Sequence, residues 1–326
     1  MSTRLYFVGK VVQAIATLMF VIVFNFFLFR VMPGDPVKLL TRGQGLRLSQ
    51  QEQDALVRDF GLDQPLPQQF VTYVADVLRG NLGVSYMFAG QSVSGLFVQF
   101  LWPTLLLVGV STIASTLIGI LVGIYSGWRR GSAVDIGSMT TSLVFYSMPE
   151  FWLGIILLIV FSTYLQLFPT GGLQSVSGEF SAIARVTDYI NHLFLPALTL
   201  TLAYVGEFYL VMRSSLLDVL GEDYVVTARA KGLREKYVLR RHAVRNALLP
   251  TVTIIAINFG FVIGGAITVE TVFSYPGLGL MTFDALQAKD YPLLQGTFLF
   301  FSMAVIAANL VADLLYGYLD PRVREA

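Results

Sequence analysis

The chain has 326 residues, 55 % of them hydrophobic and 13 % charged, with a formal net charge of +1. A mean hydropathy of +0.67 with long uncharged runs excludes a pair of ordinary soluble domains and points to a polytopic membrane protein. The absence of cysteine excludes disulfides, thiolate metal sites and a cysteine nucleophile.

Arg4 and Lys10 precede the apolar run VVQAIATLMFVIVFNFFLF, which is longer than a signal-peptide core and is followed by no small-x-small cleavage site. It is read as a retained transmembrane helix. Crossing a hydrocarbon core takes about 20 residues at helical rise. Six runs qualify, near 10–31, 101–125, 137–164, 195–217, 249–271 and 294–318. Pro149, Gly154 and Gly206 inside them do not veto helix in lipid, where neighbouring helices satisfy freed backbone groups. The fold class expected is therefore all-α, a polytopic membrane protein with six transmembrane helices.

With the amino terminus inside, 14 of the 22 cations fall on inner segments, namely Arg4, Lys10, Arg129, Arg130, Arg213, seven within 229–245, Arg322 and Arg324. Both termini are then cytoplasmic. The first outer segment, about 33–100, reads as two short amphipathic helices. Ser49 and Glu52 form a capping box with Gly61 as a stop, and Leu66, Phe70, Val74 and Leu78 recur at i+4 along the second helix. They could pack on the bundle or serve an external partner. The second outer segment, 165–193, is FPTGG followed by a mixed polar stretch. In the third, 272–293, Pro276, Gly277 and Gly279 mark a turn before a short helix. The chain divides into a first helix (1–32), the outer segment (33–100) and a core of five spans (101–322) with a cytoplasmic loop at 218–248.

Little here could build a catalytic centre. No G-x-x-x-x-G-K-[ST] is present, so the chain cannot make the usual nucleotide phosphate cradle, and PGLGL reads as a turn. His192 and His242 fall on opposite sides of this topology and cannot share a metal. A proton-coupled carrier needs ionisable groups in mid-membrane. Glu150 after Pro149 and Glu207 in the fourth span are the candidates, either as cavity lining or as structural partners of neighbouring helices. Asn309 and Asp313 are expected to make interhelical hydrogen bonds, and the Gly119/Gly123 and Gly260/Gly264 spacings fit close helix packing.

The segment YVVTARAKGLREKYVLRRHAVRNALLP, 224–250, holds seven Lys and Arg between two apolar runs. Asp223 is the expected N-cap of a first helix, and Gly232 its left-handed stop. A second helix then runs to Pro250, with Arg234, Arg241 and Arg245 on one face. Like charges at i, i+4 repel, so counter-charges such as lipid phosphates are expected near them. The small residues Ala228 and Ala230, beside Arg229 and Lys231, would let a partner's groove approach the backbone. Charge alone leaves two readings open, a basic loop on anionic headgroups or a docking lever for a cytoplasmic protein.

The same stretch resembles the cytoplasmic EAA-type loop of ABC-importer permeases in the dipeptide/oligopeptide branch. Thr227, Ala228, Arg229, Ala230, Lys231, Gly232, His242, Asn246 and Pro250 match that branch, whereas the glutamate of the wider motif is replaced by Val226. FRVMPGDP, GLDQPLPQQFVTYVADVLRGNLGVSY, SMPEFWLG and VETVFSYPGLGLMTFDALQAKDYPLLQG are similar to the same branch, in order along nearly the whole chain.

The resemblance implies a type I importer permease that catalyses nothing itself and sits in a bacterial or archaeal plasma membrane. It forms half of a peptide pathway with a second homologous permease. Two cytoplasmic ATPase subunits binding ATP and Mg, and an extracytoplasmic solute-binding protein, are implied as partners. Tyr224, Thr227, Ala228, Arg229, Ala230, Lys231, Gly232 and Leu233 would couple to the ATPase, and Glu150 and Glu207 would line the pathway. No nucleic acid and no cofactor on this chain are implied. Nickel, glutathione or oligosaccharide permeases of the same family, and more remotely an ATP-independent secondary carrier, are the alternatives.

Overall fold

The computed structural model describes residues 3–31, 63–88, 90–175, 181–249, 251 and 267–319. Ser49, Glu52, Gly61, Pro250, the Gly260/Gly264 pair and most of the run at 249–271 lie outside them. Two compact units are present: Met1–Trp102 with Pro276–Ala326, and Pro103–Tyr275.

In the first unit, α1 (Thr3–Val31) packs against α11 (Tyr291–Leu319). Lys10 Nζ lies 3.1 Å from Asp313 Oδ2, so the interhelical contact expected of Asp313 is present and takes the form of an ion pair. Further along α1, buried Asn25 donates to Tyr73 Oη and to the Gln295 carbonyl, both at 3.0 Å. Helix α2 (Leu66–Leu78) is the second outer helix that the sequence predicts. Its inward face is different, however. Leu66 and Leu78 are 55 % and 79 % exposed, while Gln69 is buried and the Phe70 and Tyr73 rings lie 5.2 and 5.6 Å from Phe26. A strict i+4 row drifts around a helix of 3.6 residues per turn, so only its middle meets α1.

Helix α10 (Leu278–Ala288) ends at Lys289 in the left-handed region, φ 56°. Leu278, Met281 and Ala285 join Val93, Leu96, Phe97, Leu293 and Leu294 in one core. Fully buried Asp290 opens α11. Its Oδ1 accepts from Leu293 N at 3.2 Å, and its Oδ2 accepts from Tyr86 N and Met87 N at 2.9 Å and from the Ser85 hydroxyl.

The second unit holds most of α3 (Val93–Trp128), with α4 (Ala133–Ser147), α5 (Glu150–Leu157, continuing as a π-helix over Leu158–Tyr164), α6 (Ala182–Leu220) and α9 (Ile267–Val272). A helix from Ala182 takes up much of what the sequence assigns to an outer segment. The run at 137–164 is not one continuous helix. It is two helices bent by 102° at Ser147–Pro149. Proline disfavours α geometry in the residue before it, and Met148 is extended at φ −80°, ψ 134°. Among the described residues, four helices are long and apolar enough to cross a membrane, or five if the bent pair counts as one.

Glycines set the spacing of α3 and α6. A Cβ on Gly119 would lie 2.6 Å from Phe208 Cβ, and one on Gly123 would lie 2.9 Å from both Met212 Cβ and the Tyr209 carbonyl. Gly127 continues the row one turn on, against Leu216. The expected close packing is present and runs a turn further than the Gly119/Gly123 spacing indicates. Opposite, Gly206 of α6 approaches α4, where a Cβ would lie 2.6 Å from the Ser142 carbonyl. Gly123→Leu is therefore expected to destabilise the protein by about 1–3 kcal/mol through overpacking, read as a lowered thermal midpoint in detergent.

Candidate functional site

The basic loop begins where α6 ends at Leu220. Helix α7 spans Asp223–Ala230, with Glu222 as its N-cap. Asp223, the expected cap, is the first helical residue instead. Its carboxylate still lies at the positive end of the helix, where the dipole favours it. At the other end Gly232 has φ +74°, and Leu233 N and Gly232 N return to the Ala228 and Arg229 carbonyls at 3.4 and 2.9 Å. This is the left-handed stop expected from sequence, and Gly is the residue that adopts it at least cost.

Val225 and Ala228 are buried with Val238 in a small core, flanked by Val219 and Leu220. Ala228 therefore faces inward, and of the two alanines expected to meet a partner only Ala230 is exposed. The outward side carries Val226, Thr227, Ala230 and Lys231. Tyr224 Oη accepts from Asn246 Nδ2 at 2.8 Å, which ties α7 to the following helix. Arg229 Nε lies 3.3 Å from Glu235 Oε1, and its guanidinium sits 5.7 Å from the Trp128 ring centroid. Its charge is thus already engaged within the loop.

The following helix, α8, starts at Glu235 with Arg234 as N-cap, becomes π-helical over Val238–Ala243 and returns to α geometry over 244–249. Arg234 is outside the helix, and the wider π turn changes the phase between it and Arg241. The three-arginine face expected from a regular helix is not formed. Ala243 and Ala247 pack on Met212 and Leu216, fixing α8 to α6.

Glu150 is the first residue of α5, and its Oε2 accepts from Thr268 Oγ1 at 3.4 Å. The Tyr204 hydroxyl lies beside Glu150 and within electrostatic reach of Glu207 one turn along α6. The two carboxylates singled out from sequence thus share one neighbourhood, and both are partly exposed. Sequence reasoning missed two other carboxylates. Fully buried Glu270 accepts from Thr104 Oγ1 at 2.7 Å. Buried Asp135 accepts Arg213 Nε at 2.7 Å and Nη2 at 2.9 Å, Gly131 N at 2.8 Å, and the Ser126 hydroxyl, which also bonds Tyr209 Oη. The spacing of Ser132 and Asp135, a helix-capping pattern, was the available signal for the second of these. No cluster of three or more metal-ligating side chains occurs among the described residues.

Residues 119–325 match the family described as binding-protein-dependent transport system inner membrane component, and residues 4–92 match the corresponding N-terminal family. The chain belongs to this family of non-catalytic membrane permease components of ABC importers. It is 36 % identical to the oligopeptide transport system permease protein AppB of Bacillus subtilis, over 98 % of each chain. It is 38 % identical to the dipeptide transport system permease protein DppB of Escherichia coli K12, over 95 % of this chain and 96 % of that one. The glutathione transport system permease protein GsiC of Pectobacterium atrosepticum is 38 % identical over 98 % of each chain. In fold, the chain is similar to a subunit of the inward-facing MetNI methionine ABC transporter. The TM-score is 0.54 at 17 % identity, covering 69 % of this chain and 96 % of that one.

Proposed function

We propose that the chain is one of two permease subunits of an ATP-driven peptide importer, contributing half of the pathway and receiving its drive through α7. The observation that carries this reading is the form of the loop. A two-turn helix is anchored inward by Val225 and Ala228, presents Thr227, Ala230 and Lys231 outward, and is stopped by left-handed Gly232. A basic loop that only touched headgroups would need neither the anchor nor the stop. Tyr224, Arg229 and Leu233 hold that shape, and Glu150 and Glu207 flank the path of the peptide.

ATP and Mg belong to two cytoplasmic ATPase subunits, and an extracytoplasmic binding protein delivers the peptide. Both termini lie in the cytoplasm. The glutathione relative favours a second reading of the substrate, since glutathione is itself a small peptide.

Purification of the tagged chain in gentle detergent, with mass spectrometry of its companions, tests the assembly. Recovery of an ATPase and a second permease is expected, and the chain alone or as a homo-oligomer would overturn it. Competition of dipeptides, tripeptides and glutathione for uptake then separates the substrates. Gly232→Ala meets no neighbour within 4 Å, so its cost is conformational, on the order of 1 kcal/mol. It is expected to lower ATP-driven uptake more than membrane insertion, and unchanged uptake would remove α7 from the mechanism.

A further inference from the structure

Three helices meet at the buried Asp135 carboxylate. Ser126 and Tyr209 bring α3 and α6 to it, Gly131 N closes the turn before α4, and Arg213 of α6 grips both carboxylate oxygens. The side chains of Asp135 and Arg213 are only 4 % and 18 % exposed. A bidentate pair out of water fixes orientation as well as distance.

The pair lies between the two parts of the proposed machinery. On one side, α7 and α8 are packed on the carboxyl-terminal end of α6 through Val219, Leu220, Met212 and Leu216. On the other, α4 runs from Asp135 to the 102° corner at Ser147–Pro149, immediately before Glu150. The Gly119–Gly123–Gly127 row and Gly206 bring α3 and α4 into close contact with α6.

We propose that the Asp135–Arg213 pair is a positioning linkage. It locks the start of α4 to α6, so that displacement of α7 is delivered to the α4–α5 corner that carries Glu150. Neither residue touches substrate or nucleotide. The inference rests on the reading of α7 as the element that receives the drive.

The absence of cysteine allows pairs of spin labels to be placed cleanly. In the complete transporter, assembled with its partner subunits in lipid nanodiscs, one pair replaces Lys236 and Phe151 with cysteine and a second replaces Lys236 and Val12. All three positions are exposed. On trapping with ATP and vanadate, the Lys236 to Val12 distance is expected to change by roughly 5 Å, the scale of a one-turn shift. The Lys236 to Phe151 distance is expected to stay constant. In Asp135→Asn the first distance still changes and the second now changes with it, because α7 moves without the corner.

If Asp135→Asn does not assemble, Arg213→Lys carries the test, since it keeps the buried cation but cannot span both oxygens. A Lys236 to Phe151 distance that changes equally in the unmodified chain would overturn the linkage, as would one that stays constant in both variants. A Lys236 to Val12 distance unmoved by ATP would instead sink the reading of α7, and the linkage with it.

Discussion

Asp290→Ala is expected to prevent the chain from accumulating as folded protein. The substitution removes the acceptor for Ser85 Oγ, Tyr86 N, Met87 N and Leu293 N at a fully buried position. Each stranded donor costs about 1–3 kcal/mol, so the loss is comparable to the whole stability of a domain, about 5–15 kcal/mol. No hydrophobic gain offsets it, because the methyl group occupies only part of the vacated space. Size-exclusion profiles of detergent extracts are the direct measurement. Asp290→Asn, which keeps one acceptor oxygen, should lie between the two. A monodisperse Asp290→Ala protein with an unshifted melting midpoint would show that the 85–88 turn does not depend on this carboxylate.

The second large effect is functional. Val225→Asp places a carboxylate in the core made by Val225, Ala228 and Val238, where the charge finds no cation among those three residues. Burying an unpaired charge costs several kcal/mol, more than a core of three side chains supplies, so α7 is expected to leave its seat. The main cores of the two units do not include these residues, and the chain should still fold and retain its partner permease. Recovery of the ATPase subunits on purification should fall more than tenfold, and ATP-driven uptake should be abolished. An ATPase recovered in full would mean that α7 is not the attachment point.

What could be read from residues alone divides along physical lines. Local signals served well. Gly232 has φ +74° because a helix must stop there, and the Gly119/Gly123 spacing reports close packing because a missing side chain has one steric meaning. Signals that depend on phase did worse. The row Leu66, Phe70, Val74, Leu78 and the arginine face of α8 both assume an undisturbed helix. Pro149 inside an apolar run was compatible with either a kinked span or a corner, and hydropathy does not distinguish them. Least legible were carboxylates whose partners are remote in sequence, such as Asp135 with Arg213 and Asp290 with Ser85. An isolated Asp looks the same whether it faces water or closes a buried network. Glu150 and Glu207 stand out as charges in apolar runs, but only the structure puts Tyr204 within reach of both.

The π-helical stretch at Val238–Ala243 also bears on how this loop tolerates insertions and deletions. A π turn holds one residue more than the α turn it replaces. Deleting one residue there would regularise the helix, because the turn absorbs one extra residue while the segments on either side keep nearly their α-helical phase. Ala243 and Ala247 would then keep their places against Met212 and Leu216, and Asn246 its reach to Tyr224. A single-codon gap in this segment is thus absorbed by the turn, whereas one placed elsewhere in the helix would rotate everything beyond it by about 100° and change its aim.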